Sequence, residues 1–296
     1  MTDLTVQTTS AASARDFLEL LKPRVMSLVV FSGATGLIVA PGHLHPVLAV
    51  TALLCIAVAS GAAGAINMWY DRDIDAVMER TRNRPIPQGR VTSGEALAFG
   101  VALTGAAVLL MGLAVNWVAA SLLALASAFY VFVYTIWLKR RTPQNIVIGG
   151  AAGAFPPMIG WASVTGDVGL GGIVLFLLIF LWTPPHFWAL ALFRSGDYAR
   201  AGLPMLPVVA GERETKKQML LYTLALLPAA TAPYAVGMAG PIYLASALAL
   251  GALFVVAAWR VWQDDSHRSA KRMFGFSILY LFLLFTLLIA DHLALA

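Results

Sequence analysis

The chain has 296 residues, 59% of them hydrophobic and only 12% charged, with a net charge of +5. A soluble globular domain carries roughly a quarter charged residues, so this composition and a mean hydropathy of +0.79 exclude a water-soluble protein and indicate a polytopic membrane protein. The longest polar segments are about 25 residues, too short to build a core of their own, which predicts one domain over 1–296.

Residues 1–22 form a polar segment rich in Thr, Ser and Ala. It lacks the charged start and short apolar core of a secretory signal, and its few charges do not make a transit peptide. Apolar runs long enough to cross about 30 Å of hydrocarbon as helices then fall near 24–41, 46–70, 94–114, 117–138, 145–163, 171–192, 218–238, 241–262 and 273–292. That predicts an all-α bundle of about nine spans around a central cavity. The count becomes eight if a tight joint such as Val115-Asn116-Trp117 or Ala239-Gly240-Pro241 does not divide two of them.

Span 1 opens on Lys22-Pro23-Arg24, where proline suits a first helical turn and the two cations can anchor the interface. His43 and His45 follow in the next connection, and Cys55, the only cysteine, reads as a small core residue that excludes an intrachain disulfide.

Span 2 ends in NMWYDRDIDAVMERTRNRPIPQG, residues 67–89. Asn67, Asp71 and Asp75 stand at i, i+4 and i+8, so on a helix they climb one face about 6 Å apart. Asp73 lies two positions from each neighbour and points away. Like charges so placed cost a few tenths of a kcal/mol per pair unless a cation lies between them, and hard Mg²⁺ is the usual cation for such oxygen ligands. The competing reading is a solvated helix end whose acids pair with Arg72, Arg80, Arg82 and Arg84. Pro85 and Pro87 end any continuing helix, and Ser93-Gly94-Glu95 can start span 3.

Span 4 ends in Tyr134 and then Lys139-Arg140-Arg141, a cluster of the kind that anchors topology. Asn145 opens span 5, whose Gly149, Gly150, Ala152, Gly153 and Ala154 let helices approach closely and whose Pro156-Pro157 predicts a kink. Span 6 carries Trp182-Thr183-Pro184-Pro185-His186. Seven residues short of Phe193, His186 lies about 10 Å below the interface. Histidine inside a span is a functional-site candidate, and the alternative is a hydrogen bond to a carbonyl freed by Pro184 or Pro185. Spans 7 to 9 read as lipid contact and helix packing, and Asp264-Asp265 as a solvated turn.

All twenty Lys and Arg fall in the N-terminal segment or near the ends of spans 2, 4, 6 and 8. The positive-inside rule then puts the N-terminus in the cytoplasm and the C-terminus outside a cell membrane. The basic charge thus records orientation and calls for no nucleic-acid partner.

The order Asn67, Asp71, Ile74, Asp75, Met78, Arg80, Thr81, Arg84, Gly89 resembles the signature of the UbiA family of intramembrane prenyltransferases. LLKPRV at 20–25, YTIWLKRRTPQNIVIGG at 134–150 and TPPHFWALALFRSGDYARAGLPMLPVV at 183–209 are similar to its haem-farnesylating branch. The resemblance implies farnesyl diphosphate and haem B as substrates, haem O as product, and Mg²⁺ as cofactor held by Asn67, Asp71 and Asp75. It assigns Arg84, Lys139 and Arg140 to the diphosphate, suggests the same for Lys22 and Arg24, and makes His186 a haem contact. It also raises a hand-over to a downstream haem-modifying enzyme or oxidase. Another acceptor, such as a chlorophyllide-like tetrapyrrole or an aromatic acid, is the alternative within the family. A small-molecule transporter, the alternative outside it, predicts polar groups near mid-bilayer rather than at one face.

One stretch departs from the family. Most members resemble one another in a second pair of carboxylates at i, i+4 ahead of a glycine. Counting back from Gly202 puts Tyr198 and Arg194 there, with only Asp197 nearby. The expectation is that Arg194 grips diphosphate directly in place of part of a second metal's charge.

Overall fold

Hydrocarbon offers the backbone no hydrogen-bond partners, so each apolar run must close its own bonds as a helix. The computed structural model describes residues 12–295, and among them there are helices and turns but no strand. The long helices are α2 (Pro23–Ile38), α3 (Pro46–Tyr70), α5 (Ser93–Ala114), α6 (Trp117–Ala128) with its continuation to Leu138, α7 (Asn145–Thr165), α8 (Leu170–Phe193), α11 (Gly211–Ala235), α12 (Pro241–Gln263) and α13 (Arg268–Leu295). Seven are long and apolar enough to cross a membrane, and α1 (Ala14–Leu20) with the body of α2 makes an eighth, bent by 58° at its break. The remaining long helix, α11, falls outside that set, and it begins at Gly211 rather than near 218, because its first two turns are polar and hydropathy alone passes over them.

Burial decides which helices are central. The apolar windows of α7 and α8 are 72% and 61% buried, against 28% to 44% for the other spans. Helix α2 crosses α7 at glycines: a Cβ placed on Gly160 would stand 2.0 Å from the carbonyl oxygen of Gly33. Close approach here needs the missing side chain. Helix α7 runs without a break through Pro156 and Pro157, both buried.

Three local features depart from the expectations. The polar segment, whose residues 1–11 lie outside the described residues, contains helix α1. Ser13 and Asp16 cap it reciprocally, as a capping box does, and Leu20 is fully buried. The carboxylate ladder does not lie on one continuous helix: α3 stops at Tyr70, Asp71 is the joint, and α4 (Arg72–Val77) carries Asp75. Helix α4 ends at Val77, well before Pro85. From Phe129 to Leu138 the fourth span is a π-helix, with Lys139 N–H donating to the Tyr134 carbonyl at 2.9 Å; such wide turns concentrate at functional sites. Helix α5 starts at Ser93 as expected, and Thr92 caps it in a reciprocal box with Glu95.

Side-chain ties gather the connections at one end of the bundle. Lys139 and Arg140 reach Asp71 and Asp73, the Glu79 N–H donates to Asp197 at 3.0 Å, and Lys216 donates to the Asp264 carbonyl at 2.8 Å. At the other end Asn116 donates to the Ala162 carbonyl at 2.9 Å and Asp291 accepts from the Gly240 N–H.

Candidate active site

A cavity of about 420 Å³ opens among α2, α3, α6, α7, α8 and α13, within the size range of small-molecule sites. Its charged wall comes from the cross-tied end of the bundle: Lys22, Asn67, Asp75, Arg80, Arg84 and Lys139. Its deeper wall is apolar and aromatic, with Val29, Leu123, Pro156, Trp182 and Leu281, and includes His186.

The ladder geometry survives the break at Asp71 because the i to i−4 bonds continue: the Asp71 N–H donates to the Asn67 carbonyl at 2.9 Å and the Asp75 N–H to the Asp71 carbonyl at 2.8 Å. All three side chains are buried, at 4%, 0% and 2% exposure. Asn67 Nδ2 donates to Asp71 Oδ2 at 2.8 Å and to Thr135 Oγ1 at 3.2 Å, Lys139 also donates to Asp71, and Arg84 donates to Asp75 at 2.6 Å. Asn67 and Asp75 face the cavity, while Asp71 lies behind them. Among the described residues no three His, Cys, Asp or Glu side chains converge as a metal cage. The chemistry of this donor set, two buried carboxylates and an amide oxygen balanced by two cations, nonetheless fits a hard divalent ion that takes oxygen ligands.

Asp73 points to solvent as expected and accepts from Arg140 at 2.7 and 2.8 Å. That hydrogen bond holds its carboxyl below the usual carboxylate range. Arg140 is therefore committed to Asp73, to the Tyr70 carbonyl and to the Tyr70 ring, and does not line the cavity, contrary to its expected place at a diphosphate. Arg194 likewise sits outside the wall, 40% exposed and 3.8 Å from Glu79. Lys22 does line it, donating to Asn67 Oδ1 at 3.2 Å from a left-handed backbone with φ 52°, a conformation that costs a non-glycine residue about 1–2 kcal/mol. The Arg24 side chain lies outside the described residues.

Tyr134 lines the cavity, stacked on Tyr130 at 5.5 Å, and Tyr198 lines it from the short helix α9 (Ser195–Arg200). Asp197 accepts from Glu79 and Arg200 through Oδ1, while its buried Oδ2 has no partner. Asn145 is fully buried and donates to the Thr142 carbonyl at 2.7 Å, so it braces the turn that carries Lys139 rather than meeting a ligand.

Two corrections concern the far wall. His186 bonds to Ser277 Oγ at 2.6 Å, not to a carbonyl freed by a proline. Helix α13, read from sequence as packing only, thereby contributes Ser277 and Phe274 to the site. A single serine within an apolar stretch carries no signal that could have found it. Arg80, legible as one of the arginines beside the ladder, proves to be a wall residue.

The UbiA prenyltransferase family pattern matches residues 28–287. Protoheme IX farnesyltransferase of Parvibaculum lavamentivorans is 63% identical over 283 residues, which span 94% of this chain and 89% of its own. Among solved structures, a digeranylgeranylglyceryl phosphate synthase superposes with a TM-score of 0.78 at 17% identity, covering 95% of this chain and 98% of that one. A UbiA homologue from Archaeoglobus fulgidus bound to DMAPP and Mg²⁺ gives a TM-score of 0.66 at 18% identity, covering 92% and 99%.

Proposed function

The chain belongs to the UbiA prenyltransferase family, and from that premise we propose that it transfers a farnesyl group from farnesyl diphosphate to a vinyl group of haem B, with water, to give haem O and diphosphate. The observation that carries the reading is the buried Asn67, Asp71 and Asp75 cluster, met by Lys22, Arg84 and Lys139, at the end of an apolar cavity that His186 also lines.

In this reading the apolar wall takes the farnesyl chain and keeps water from its allylic carbon. Arg80, Arg84, Lys22 and Lys139 present donors to the diphosphate oxygens, where charge builds as the C1–O bond breaks and its electron pair leaves with the diphosphate. When bound, Mg²⁺ held by Asn67, Asp71 and Asp75 supplies Lewis-acid charge to the same oxygens. Arg84 and Lys139 are aimed beforehand by Asp75 and Asp71, so the donors need little reorganisation. The vinyl terminus of the haem then bonds to farnesyl C1. Water adds to the cation left beside the ring and loses a proton, leaving a hydroxyethylfarnesyl arm.

The protein is integral to a membrane. We assign its charged end to the cytoplasm, because every Lys and Arg falls on that side of the spans, and treat 1–296 as one catalytic unit. The lipophilic product suits direct hand-over to a haem-modifying enzyme or oxidase in the same bilayer. Incubating the purified chain with haem B, farnesyl diphosphate and Mg²⁺, then weighing the product, tests the function. Haem B gaining one farnesyl group and one hydroxyl is expected; farnesylation of a phenolic acid in place of haem would overturn it.

A further inference from the structure

His186 is held in an aromatic sandwich. Its ring lies 4.3 Å from Trp182 and 4.7 Å from Phe274, tilted by only 17° and 22°, so the imidazole plane is set by its neighbours. Trp182 is itself tied to α13, its indole N–H donating to the Ser277 carbonyl at 2.9 Å.

Hydrogen counting then fixes the tautomer. Ser277 Oγ stands 2.6 Å from His186 Nδ1 and 2.6 Å from the carbonyl oxygen of Phe274. A hydroxyl has one hydrogen, and a carbonyl oxygen can only accept. That hydrogen therefore goes to Phe274, and Ser277 turns a lone pair toward the imidazole. Nδ1 must carry a proton, since otherwise two lone pairs would face each other at hydrogen-bond distance. In the neutral ring Nε2 is then bare. Among the described residues no protein group bonds Nε2, and the ring lines the cavity.

We propose that His186 presents Nε2 as an axial ligand to the iron of the haem acceptor, and that Ser277 is the positioning residue that selects this tautomer and aims the ring. The proposal rests on haem being the acceptor. A ligating histidine that donates its other N–H to a fixed oxygen is oriented and made more basic by it. Here that oxygen is a hydroxyl whose own hydrogen is already spent on the helix. Ligation would hold the haem by its centre and leave the vinyl edge to meet the farnesyl carbon.

The test uses the full chain in detergent with ferrous haem B as probe. Resonance Raman reports the iron–histidine stretch, titration reports haem affinity, and a separate titration reports farnesyl diphosphate affinity. The wild type should show the stretch and His186→Ala should lose it. Ser277→Ala should lower its frequency and weaken haem binding about tenfold, with farnesyl diphosphate affinity unchanged, and Ser277→Thr should restore both. His186→Gly supplied with free imidazole should regain the band, which separates a missing ligand from a misfolded wall. If the wild type binds and farnesylates haem without an iron–histidine band, ligation is overturned while the acceptor stands. If Ser277→Ala keeps the wild-type band and affinity, the positioning role is overturned. If the wild type neither binds nor farnesylates haem, the acceptor reading itself has failed.

Discussion

Lys139 and Asp71 are hydrogen-bonded across 68 residues of chain, and Asp71 has no exposed surface at all. A buried carboxylate left alone costs several kcal/mol, so the basic cluster after the fourth span completes the end of the second one. Neither charge can be changed without exposing the other's need for it.

The two ladder acids should separate from their neighbour on substitution. Asp75→Asn keeps the volume and an acceptor for Arg84, yet turnover should fall at least about a hundredfold through lost charge at the diphosphate. Asp71→Asn should match that fall and also lower the thermal midpoint, because Lys139 loses its counter-charge. Asp73→Ala should cost less than about threefold, since exposed ion pairs contribute only about 0–1 kcal/mol. Rates and melting curves on purified variants decide this, and a near-normal Asp75→Asn would remove the ladder from the mechanism.

Asn145→Ala should act through Lys139. Loss of its bond to the Thr142 carbonyl should cost about 1–2 kcal/mol of stability and raise KM for farnesyl diphosphate, leaving haem affinity unchanged. Equal increases in both constants would point to general loosening instead.

Two glycines of one helix should behave oppositely. Gly160→Ala drives a methyl into the Gly33 carbonyl and should destabilise by about 1–3 kcal/mol, as overpacking does. Gly153, expected to serve packing, has nothing within 4 Å of a Cβ and lines the cavity. Gly153→Ala should leave stability within about 0.5 kcal/mol and be felt in KM for the prenyl substrate.

The turn between α12 and α13 should show in acid. The Ser266 hydroxyl donates to Asp264 at 2.6 Å, with the Ser266 and Ser269 N–H groups at 2.8 and 2.7 Å, and these donors hold its carboxyl well below the usual range. A depressed folded-state value means the contribution is full above the unfolded pKa of about 4 and is lost as pH falls below it. Asp264→Asn should therefore flatten the acid limb of the melting profile, measured from about pH 6 to pH 3.

A reporter fused after Lys217 should read cytoplasmic and one fused at Ala296 external, given the one-sided cations. A cytoplasmic reading at Ala296 would place an even number of crossings in the chain.

Hydropathy located every long helix, since hydrocarbon thickness sets helix length, and spacing found the buried acids because i, i+4 neighbours share a face even across the break at Asp71. It missed what depends on contacts between distant segments. Lys139 and Arg140 are adjacent in an interface cluster, yet packing sends one into the cavity and the other to Asp73. The π-turns at 129–138 leave no trace in an apolar string, and Ser277 has meaning only beside His186. Polar lead-ins such as the first turns of α11 were invisible for the opposite reason: they are helical without being apolar.

The placement of the charged wall at a single end of the bundle also has an electrical meaning. Moving one elementary charge through a membrane potential involves about 2.3 kcal/mol per 100 mV, and diphosphate is a polyanion. With Asp75, Arg84 and Lys139 beside the interfacial loops, the proposed site would take in the anionic head of the substrate and release free diphosphate through the same face. The part of the prenyl substrate that passes deeper is uncharged hydrocarbon. Turnover at such a site moves no diphosphate charge across the bilayer, so its rate should not change when the membrane potential is collapsed.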